Sequence, residues 1–305
     1  MDDEMIGFRE SPTRRAVLQR ASLLAAGAAG VTWPGCSHPH RDDTSRRGPL
    51  RIGLVADVHY ADKDSAGNRH YRDSIARLSA AVVHFNELKV DLVVELGDFI
   101  DGADSVEQEL GYLGRIESVF AQARCPRHHV LGNHCVHTLT KRQFLAQCGQ
   151  RRSYYSFDVG GFHFVILDAC FREDGEPYGD GHSIWTDSNI PPAELEWLTQ
   201  DLAAARYPVF VFVHQRLDVD DNYGIRQRAE VRRRLEASGK VRAAFQGHNH
   251  KNDFRMINGI HYCTLPAMVE SDGNAYGLLT LEVGGAMRID GFGRQESRDF
   301  EPSQA

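Results

Sequence analysis

The feature that most constrains this chain is a series of short apolar runs, each followed at once by side chains that can bind metal ions. The segments that follow the runs are Asp57-Val58-His59, Gly97-Asp98, Gly132-Asn133-His134, His214 and Gly247-His248-Asn249-His250. Short apolar runs of this kind indicate buried strands. Because α/β folds place ligands just beyond the carboxyl ends of their strands, these segments are predicted to converge on one site.

Around these segments the chain alternates strand and helix patterns from residue 50 onward. Strands are predicted at 51–57, 91–96, 128–131, 209–213 and 241–245, with a hairpin formed by 154–158 and 162–167. Helices are predicted at 68–88, 105–123, 140–148, 192–205 and 226–237. After Gly247 only strand patterns occur, at 254–257, 260–265, 278–283 and 287–292. The early βα units and late strands predict one α/β domain built on two facing sheets with helices outside.

Composition excludes several classes of protein. The chain has 305 residues, of which 42% are hydrophobic and 25% charged, an ordinary globular composition that excludes disorder and collagen-like repeats. The formal net charge of -7 is the opposite of what a protein that binds nucleic acid through phosphate contacts usually carries. We therefore expect a small substrate, attracted locally by metal ions or a few arginines, and no polymeric nucleic acid.

Residues 1–36 are predicted to be an export signal. Arg14 and Arg15 precede an uncharged stretch from Ala21 to Trp33, whose 13 residues suit a signal peptide and are too few to span a membrane. The twin arginine resembles a Tat signal, so the Tat export machinery is an expected partner. An amphipathic N-terminal helix is the alternative. Export predicts a periplasmic or cell-surface protein, membrane-anchored if Cys36 is a lipoprotein acceptor.

The segments that flank the predicted catalytic domain carry no fold pattern. Residues 37–49 are polar and rich in Arg and Asp, and they are predicted to form a linker. The domain itself is predicted at 50–295, followed by a C-terminal tail at 296–305. The six cysteines include no Cys-x-x-Cys pair, which indicates neither a zinc ribbon nor a disulfide scaffold.

The side chains at the strand ends form a ligand set for two metal ions. His, Asp and Asn all bind Mn, Fe or Zn, and two ions about 3.5–4 Å apart stabilise both the attacking and the leaving oxygen of an in-line displacement. Glycines before Asp98, Asn133 and His248 predict sharp turns that let these side chains converge. Taken singly, His214 also fits a core histidine and Asn133 a turn residue, so the metal hypothesis rests on the whole set.

The order of these motifs resembles that of the calcineurin-like metallophosphoesterases, over residues 50 to 292. The resemblance implies a four-layer sandwich of two facing mixed β-sheets flanked by helices. The residues it implies for the first metal ion are Asp57, His59, Asp98 and His250. Those implied for the second are Asp98, Asn133, His214 and His248, with Asp98 bridging. The implied catalytic residues are Asp98 and His134, the latter stabilising the phosphoryl oxygens or protonating the leaving group.

The chain departs from the family pattern at two positions. Cys135 follows the Gly-Asn-His motif where members often have Asp or Glu. We therefore expect His134 to lack a carboxylate partner and to act as a neutral hydrogen-bond donor. Cys135 itself is predicted to be a buried small side chain, and a disulfide with Cys148 is left open. Asp101 stands where purple acid phosphatases carry a tyrosine, which argues against their redox-tuned ferric site.

A narrower likeness concerns the substrate. Residues 153–158, 165–168 and the long loop 169–190 are similar to ADP-ribose/CDP-alcohol diphosphatases and to exported bacterial alkaline-phosphatase-like proteins. The likeness implies an exported enzyme that hydrolyses phosphodiester or pyrophosphate bonds of nucleotide-like substrates through a metal-bound hydroxide. The alternatives are a phosphomonoesterase and a non-catalytic exported binding protein.

Four side chains near the motifs are candidates for substrate binding. An arginine can hold a second phosphate through two hydrogen bonds, and an aromatic ring can stack on a base. The candidates are Arg69, Arg72, Trp185 and Arg216. The alternatives are that the arginines lie at the surface without such a contact, and that Trp185 and Tyr178 only pack the loop onto the domain.

Overall fold

The computed structural model describes residues 48–300. The predicted export signal and most of the predicted linker lie outside the described residues. Within residues 48–300, no helix combines the length and the apolar sequence that crossing a membrane requires.

The elements follow the predicted alternation of strands and helices. The strands are β1 (Leu50–Val55), β2 (Leu92–Glu95), β3 (Arg127–His129), β4 (Tyr155–Val159), β5 (Phe162–Ile166), β6 (Val209–Phe212), β7 (Val241–Gln246), β8 (Asp253–Ile257), β9 (Ile260–Thr264), β10 (Ala275–Leu281), β11 (Met287–Gly293) and β12 (Arg298–Phe300). The helices are α1 (Ser74–Leu88), α2 (Val106–Phe120), α3 (Lys141–Gln147), α4 (Pro192–Ala204) and α5 (Arg228–Ser238).

The strands form two mixed sheets of six strands each. The first has the order β12-β11-β10-β1-β2-β3, in which β1, β2 and β3 are parallel and β10 to β12 are antiparallel. The second has the order β4-β5-β6-β7-β9-β8, with β5, β6, β7 and β9 parallel. The metal-binding segments follow the carboxyl ends of β1, β2 and β3 in the first sheet and of β6 and β7 in the second, so both sheets contribute to one site.

Apolar side chains pack in layers between and outside the sheets. Ile52 and Val94 of the first sheet share a buried cluster with Phe164, Phe212 and Phe245 of the second. A second cluster joins α1, α2 and α3 to the outer face of the first sheet, and a third joins α4 and α5 to the second. The predicted four-layer α/β architecture of two facing mixed sheets flanked by helices is confirmed.

The predicted boundaries that differ most from the structure are the start of the first helix and the start of the C-terminal tail. The helix predicted over 68–88 begins at Ser74, after a short 3-10 turn, because Arg69 and His70 bond instead to Glu270 and Val269 in an extended conformation. The segment predicted as a tail contains β12, which pairs with β11. Phe300 anchors β12 because its ring packs on Phe245 and Phe254.

Candidate dinuclear metal centre

Five of the predicted ligands have a backbone conformation that side-chain-bearing residues rarely adopt. Their φ angles are positive: 51° at Asp57, 44° at His59, 56° at Asp98, 73° at His248 and 64° at His250. A positive φ brings Cβ close to the backbone, and such strain gathers at functional sites. Hydrogen bonds between the strand ends hold these residues, including His59 N to the Asp98 carbonyl at 2.8 Å. The strain is thus offset by contacts that aim the side chains at one another.

The glycines of the motifs act mainly by allowing close approach. Gly97 has a φ of 98°, and a Cβ there would lie 2.5 Å from the His214 ring. A Cβ at Gly132 would lie 2.2 Å from the amide nitrogen of Asp98, and one at Gly247 would lie 2.5 Å from Asp57 Oδ2. Neither Gly132 nor Gly247 has a positive φ. The predicted glycine turn therefore applies to Gly97, whereas the other two glycines make room for a carboxylate.

Asp57, His59 and His250 form the first ligand group. Their donor atoms all lie within 4.8 Å of one another, and the His250 Nε2 atom is 3.3 Å from Asp57 Oδ1. The Nε2 atoms of His59 and His250 face each other at 3.3 Å. Because His250 Nδ1 is hydrogen-bonded to Glu270 Oε1 at 2.6 Å, its Nε2 is left to face a second nitrogen and a carboxylate. A cation among these atoms would interact favourably with Asp57 and with both histidine nitrogens. Glu270 would then support His250 from behind, as in the carboxylate–histidine–metal arrangement.

Asp98, His214 and His248 form the second ligand group, also within 4.8 Å. His214 Nδ1 donates to the Leu96 carbonyl at 2.9 Å, which turns its Nε2 toward Asp98 Oδ2 at 3.2 Å. Among the described residues, Nε2 of both histidines and Oδ1 of the buried Asn133 have no hydrogen-bond partner. Buried polar atoms are rarely left unpaired, so these three atoms, two of them beside the Asp98 carboxylate, fit a divalent ion.

Burial and the neighbouring carboxylates shift the pKa values of the two ligand groups in both directions. Burial opposes a charge on His250, but Asp57 and Glu270 outweigh it and raise the pKa of this ring to about 9. Burial lowers the pKa of His59 to about 4 and that of His248 to about 3, so both rings are neutral ligands. Burial opposes ionisation of Asp98, but His214 and His134 outweigh it and hold the pKa of the carboxyl well below its usual range. The pKa of His214 rises to about 9 because Asp98 outweighs burial. A proton therefore competes with a metal ion at His214.

His134 has the carboxylate partner that the sequence analysis expected it to lack. Its Nδ1 lies 2.7 Å from Asp101 Oδ1, and its side chain is 32% exposed. The backbone nitrogen of His134 donates to Asp98 Oδ1 at 2.8 Å. Burial opposes protonation, but Asp98 and Asp101 raise the pKa of His134 above its usual range. The expectation of a weakly supported neutral donor is therefore wrong, because Asp101 replaces the carboxylate absent at position 135.

The two cysteines of interest are free thiols. Cys135 is fully buried in the cluster beneath α1 to α3, as predicted, and its sulfur accepts a hydrogen bond from the Phe99 amide at 3.3 Å. Cys148 instead lies beside His129 and Glu117. The disulfide left open by the sequence does not form between them in the structure.

Of the four substrate candidates, two lie at the site. Arg69 Nη1 is 3.9 Å from Asp101 Oδ2, and the ring of Trp185 is centred 5.8 Å from that of His248. The phosphate-binding prediction is wrong for Arg216, whose guanidinium group is buried, and stays a prediction for Arg72. Arg72 is exposed and pairs with Asp62 and Asp64, and Arg216 is buried and pairs with Asp218 and Asp253.

Sequence reasoning missed three residues of the site. Asp101 and Glu270 are hydrogen-bonded to His134 and His250, and the Tyr223 ring is centred 5.5 Å from that of His248. In the sequence, Asp101 was considered only as a departure from the purple acid phosphatases, and not as a partner of His134. Nothing local in the sequence distinguishes Glu270 or Tyr223 from ordinary loop residues.

With this geometry established, comparison with known proteins identifies the family. The family model described as calcineurin-like phosphoesterase matches residues 50–252. The chain belongs to the calcineurin-like phosphoesterase family. It is therefore a metal-dependent hydrolase, and the alternative of a non-catalytic binding protein is set aside.

Several known proteins are similar to this chain over most of their length. A manganese-dependent ADP-ribose/CDP-alcohol diphosphatase from Arabidopsis thaliana is 24% identical over 312 residues, covering 85% of this chain and 99% of that protein. The serine/threonine-protein phosphatase CPPED1 from Homo sapiens is 26% identical over 264 residues, covering 75% and 80%. A dimetal phosphatase from Danio rerio shares the fold with a TM-score of 0.75 at 22% identity, covering 84% of this chain and 100% of that structure.

Proposed function

We propose that this enzyme hydrolyses phosphodiester or pyrophosphate bonds of small nucleotide-like substrates at the dinuclear centre. The observation that carries the proposal is a pair of exposed aromatic rings beside the second ligand group. Trp185 and Tyr223 are 44% and 38% exposed, with ring centroids 5.4 Å apart. Both rings pack near His248, at 5.8 and 5.5 Å. Large aromatic surface left in solvent next to the ligands offers a platform on which a base can stack.

The two ions themselves are proposed to be Mn²⁺. The relatives named as ADP-ribose/CDP-alcohol diphosphatases are manganese-dependent, and the two ligand groups offer carboxylate, amide and imidazole donors that Mn²⁺ accepts. The proposed ligands are Asp57, His59, Asp98, Asn133, His214, His248 and His250, with Asp98 shared. When bound, the ions polarise the phosphoryl oxygens and lower the pKa of water.

The remaining residues of the site are proposed to act on the phosphate and the leaving group. Asp101 holds the Nδ1 atom of His134, so Nε2 is the atom available to donate a proton or hydrogen bond. Arg69 lies beside Asp101 with its side chain 31% exposed, where its fork of donors can bind a second phosphate. A substrate with a base at one end and two linked phosphates would use both the aromatic pair and Arg69.

The proposal is tested by measuring the wild type and the Trp185→Ala variant with ADP-ribose, bis-p-nitrophenyl phosphate and p-nitrophenyl phosphate. Base stacking contributes roughly 1–3 kcal/mol, so kcat/KM for ADP-ribose should fall roughly tenfold or more. The rate with the two aryl esters should change little. Tyr154→Ala is the matched control, because Tyr154 belongs to a different aromatic pair, with Trp197 of α4.

Equal losses on all three substrates would assign Trp185 to packing of the loop and contradict the stacking role. If the wild type instead preferred p-nitrophenyl phosphate over ADP-ribose and bis-p-nitrophenyl phosphate, it would be a phosphomonoesterase. That result would contradict the proposed hydrolysis of phosphodiester or pyrophosphate bonds.

We also propose that the chain is exported through the Tat pathway and acts in the periplasm or at the cell surface. The support is the twin arginine at residues 14 and 15 followed by the uncharged stretch to residue 33. This proposal is independent of the chemistry at the metal centre.

A further inference from the structure

Outside the dinuclear centre, Glu117, His129 and Cys148 bring three different metal-binding side chains together. Their donor atoms lie within 4.8 Å of one another. Glu117 belongs to α2 and His129 to β3, and Cys148 directly follows α3. The chain thus gathers a carboxylate, an imidazole and a thiol from three separate elements.

The histidine of this cluster is buried and lacks a hydrogen-bond partner of good geometry. His129 is only 2% exposed, and both of its ring nitrogens, together with Glu117 Oε2, have no hydrogen-bond partner within residues 48–300. His129 Nε2 lies 3.2 Å from Glu117 Oε2. Leaving three such atoms unsatisfied in the interior is unfavourable, so their convergence indicates an occupant.

A second carboxylate stands behind the histidine. Glu95 Oε2 lies 3.5 Å from His129 Nδ1, on the opposite side of the ring from Glu117. Histidines that bind metal through one nitrogen commonly present the other to a carboxylate, which fixes the ring and strengthens the ligand. Glu95 is held in turn by the Gly97 amide at 2.7 Å, so the position of Glu95 is fixed independently of the cluster.

The surroundings combine an apolar shell with an opening to solvent. The rings of Phe99 and Phe120 are each centred 5.1 Å from that of His129, which lowers the local dielectric and strengthens charge interactions. On the other side, Cys148 lines a surface groove together with Arg127 and Gln150. The groove brings solvent to the half-buried Cys148, where a water molecule can supply a further ligand.

We infer that Glu117, His129 and Cys148 form a third metal site, separate from the dinuclear centre and selective for Zn²⁺. Thiolate and imidazole donors favour zinc over manganese, and three protein ligands leave one position of a tetrahedron for water. A Zn²⁺ ion there would join α2, β3 and the end of α3. The inference does not depend on the proposed substrate.

The competing occupant of the same space is a proton. Burial opposes a charge on His129, but Cys148, Glu117 and Glu95 raise the pKa of this ring above its usual range. An imidazolium between two glutamates would also satisfy the three unpaired atoms. The two occupants differ in one respect that can be measured, because only a metal ion binds the thiolate sulfur.

The first test adds Co²⁺ to the purified full-length enzyme and records its near-ultraviolet absorption. The two ligand groups of the dinuclear centre contain no cysteine, so a sulfur-to-cobalt charge-transfer band reports the third site alone. We expect the band in the wild type and in Cys125→Ser, and its loss in Cys148→Ser. A wild type without the band, or a band that persists in Cys148→Ser, would overturn the inference.

The second test uses only the wild type, so its result does not depend on whether a variant folds. Alkylation of the wild type by a maleimide is followed by mass spectrometry, with and without saturating Zn²⁺. Because a thiolate held by a metal is not free to react, modification of Cys148 should slow by roughly tenfold or more. Cys125, which is a half-buried free cysteine like Cys148, is the internal reference and should be unaffected. An unchanged alkylation rate at Cys148 would indicate that a proton occupies the cluster and would contradict the metal site.

Discussion

At the scale of single residues, the carboxylate partner of His134 is Asp101, which lies 33 positions earlier in the chain, in the segment after β2. The family pattern often places an acid directly after this histidine, and here that position holds Cys135. In the structure Cys135 packs in the apolar core, and Asp101 is the carboxylate that contacts the His134 ring. Asp101 also lies 3.4 Å from Lys63. A Cys135→Asp substitution would bury an unpaired carboxylate, so it would perturb folding and would not test the proton transfer.

The proper test of this pair is Asp101→Asn. Loss of the carboxylate lowers the basicity of His134 and frees its ring, so protonation of the leaving group becomes inefficient. We expect kcat to fall about tenfold or more for an alkyl phosphodiester and much less for a p-nitrophenyl ester, whose oxygen needs no proton. The slope of log rate against leaving-group pKa should steepen. An unchanged slope would show that another group supplies the proton.

Asp98 is the residue whose loss should affect both metal positions. Asp98→Asn replaces the proposed shared carboxylate by a neutral amide, which bridges two cations poorly. We expect turnover to fall by more than roughly 100-fold, since losing a partner behind a ligand already has effects up to that size, and bound metal to fall as well. Elemental analysis and turnover are compared with Asp299→Asn, an exposed control at the edge of the first sheet. Normal turnover with two ions bound would refute the dinuclear assignment.

At the scale of elements, Arg216 joins the segment after β6 to the start of β8. Its guanidinium is within 2.7 Å of Asp218, and it also pairs with Asp253. Asp218 is almost fully buried and accepts a further bond from Gln246. This buried network explains why an arginine that follows a predicted metal ligand is unavailable to a phosphate.

The variants Arg216→Ala and Arg72→Ala compare the contribution of a buried ion pair to stability with that of an exposed ion pair. Removing Arg216 leaves a buried carboxylate with less compensation, which should reduce the free energy of unfolding by about 3 kcal/mol. Arg72 is exposed and its ion pairs are screened by solvent, so its loss should reduce that free energy far less than the loss of Arg216. Urea unfolding measures both. A larger loss for Arg72→Ala than for Arg216→Ala would contradict this reading of the two arginines.

The loop that carries Trp185 is ordered by its own buried tyrosine. Tyr178 is 1% exposed, and its hydroxyl donates to the Ile184 carbonyl at 2.9 Å. The packing alternative therefore holds for Tyr178, while Trp185 of the same loop stays half-exposed. Fixing the loop through one aromatic leaves the other in place for a substrate at little entropic cost.

At the scale of the whole molecule, the proposed export depends on residues outside the catalytic domain. Replacing Arg14 and Arg15 by lysine keeps the charge of the N-terminus and removes the twin arginine on which the Tat proposal rests. We expect the precursor to remain inside the cell and periplasmic activity to disappear. Cell fractionation with an activity assay measures this. Undiminished periplasmic activity would contradict the Tat proposal and leave the catalytic proposal intact.

The sequence by itself determined the layered α/β fold and the positions from which the candidate metal ligands come. Both follow from short-range information, because a buried strand needs a continuous apolar run and the residue after a strand end lies at the edge of the sheet. Asp57, Asp98 and His214 could therefore be assigned to one site without coordinates.

Only the tertiary structure decided which side chains support those ligands. The contacts of His134 with Asp101, His250 with Glu270 and Trp185 with Tyr223 join loops whose packing no local pattern encodes. The same holds for Arg216, whose sequence neighbourhood suggested phosphate and whose buried partner Asp253 lies 37 positions away. Chain topology brings such pairs together, and their chemistry depends on distance and burial, which exist only in the folded protein.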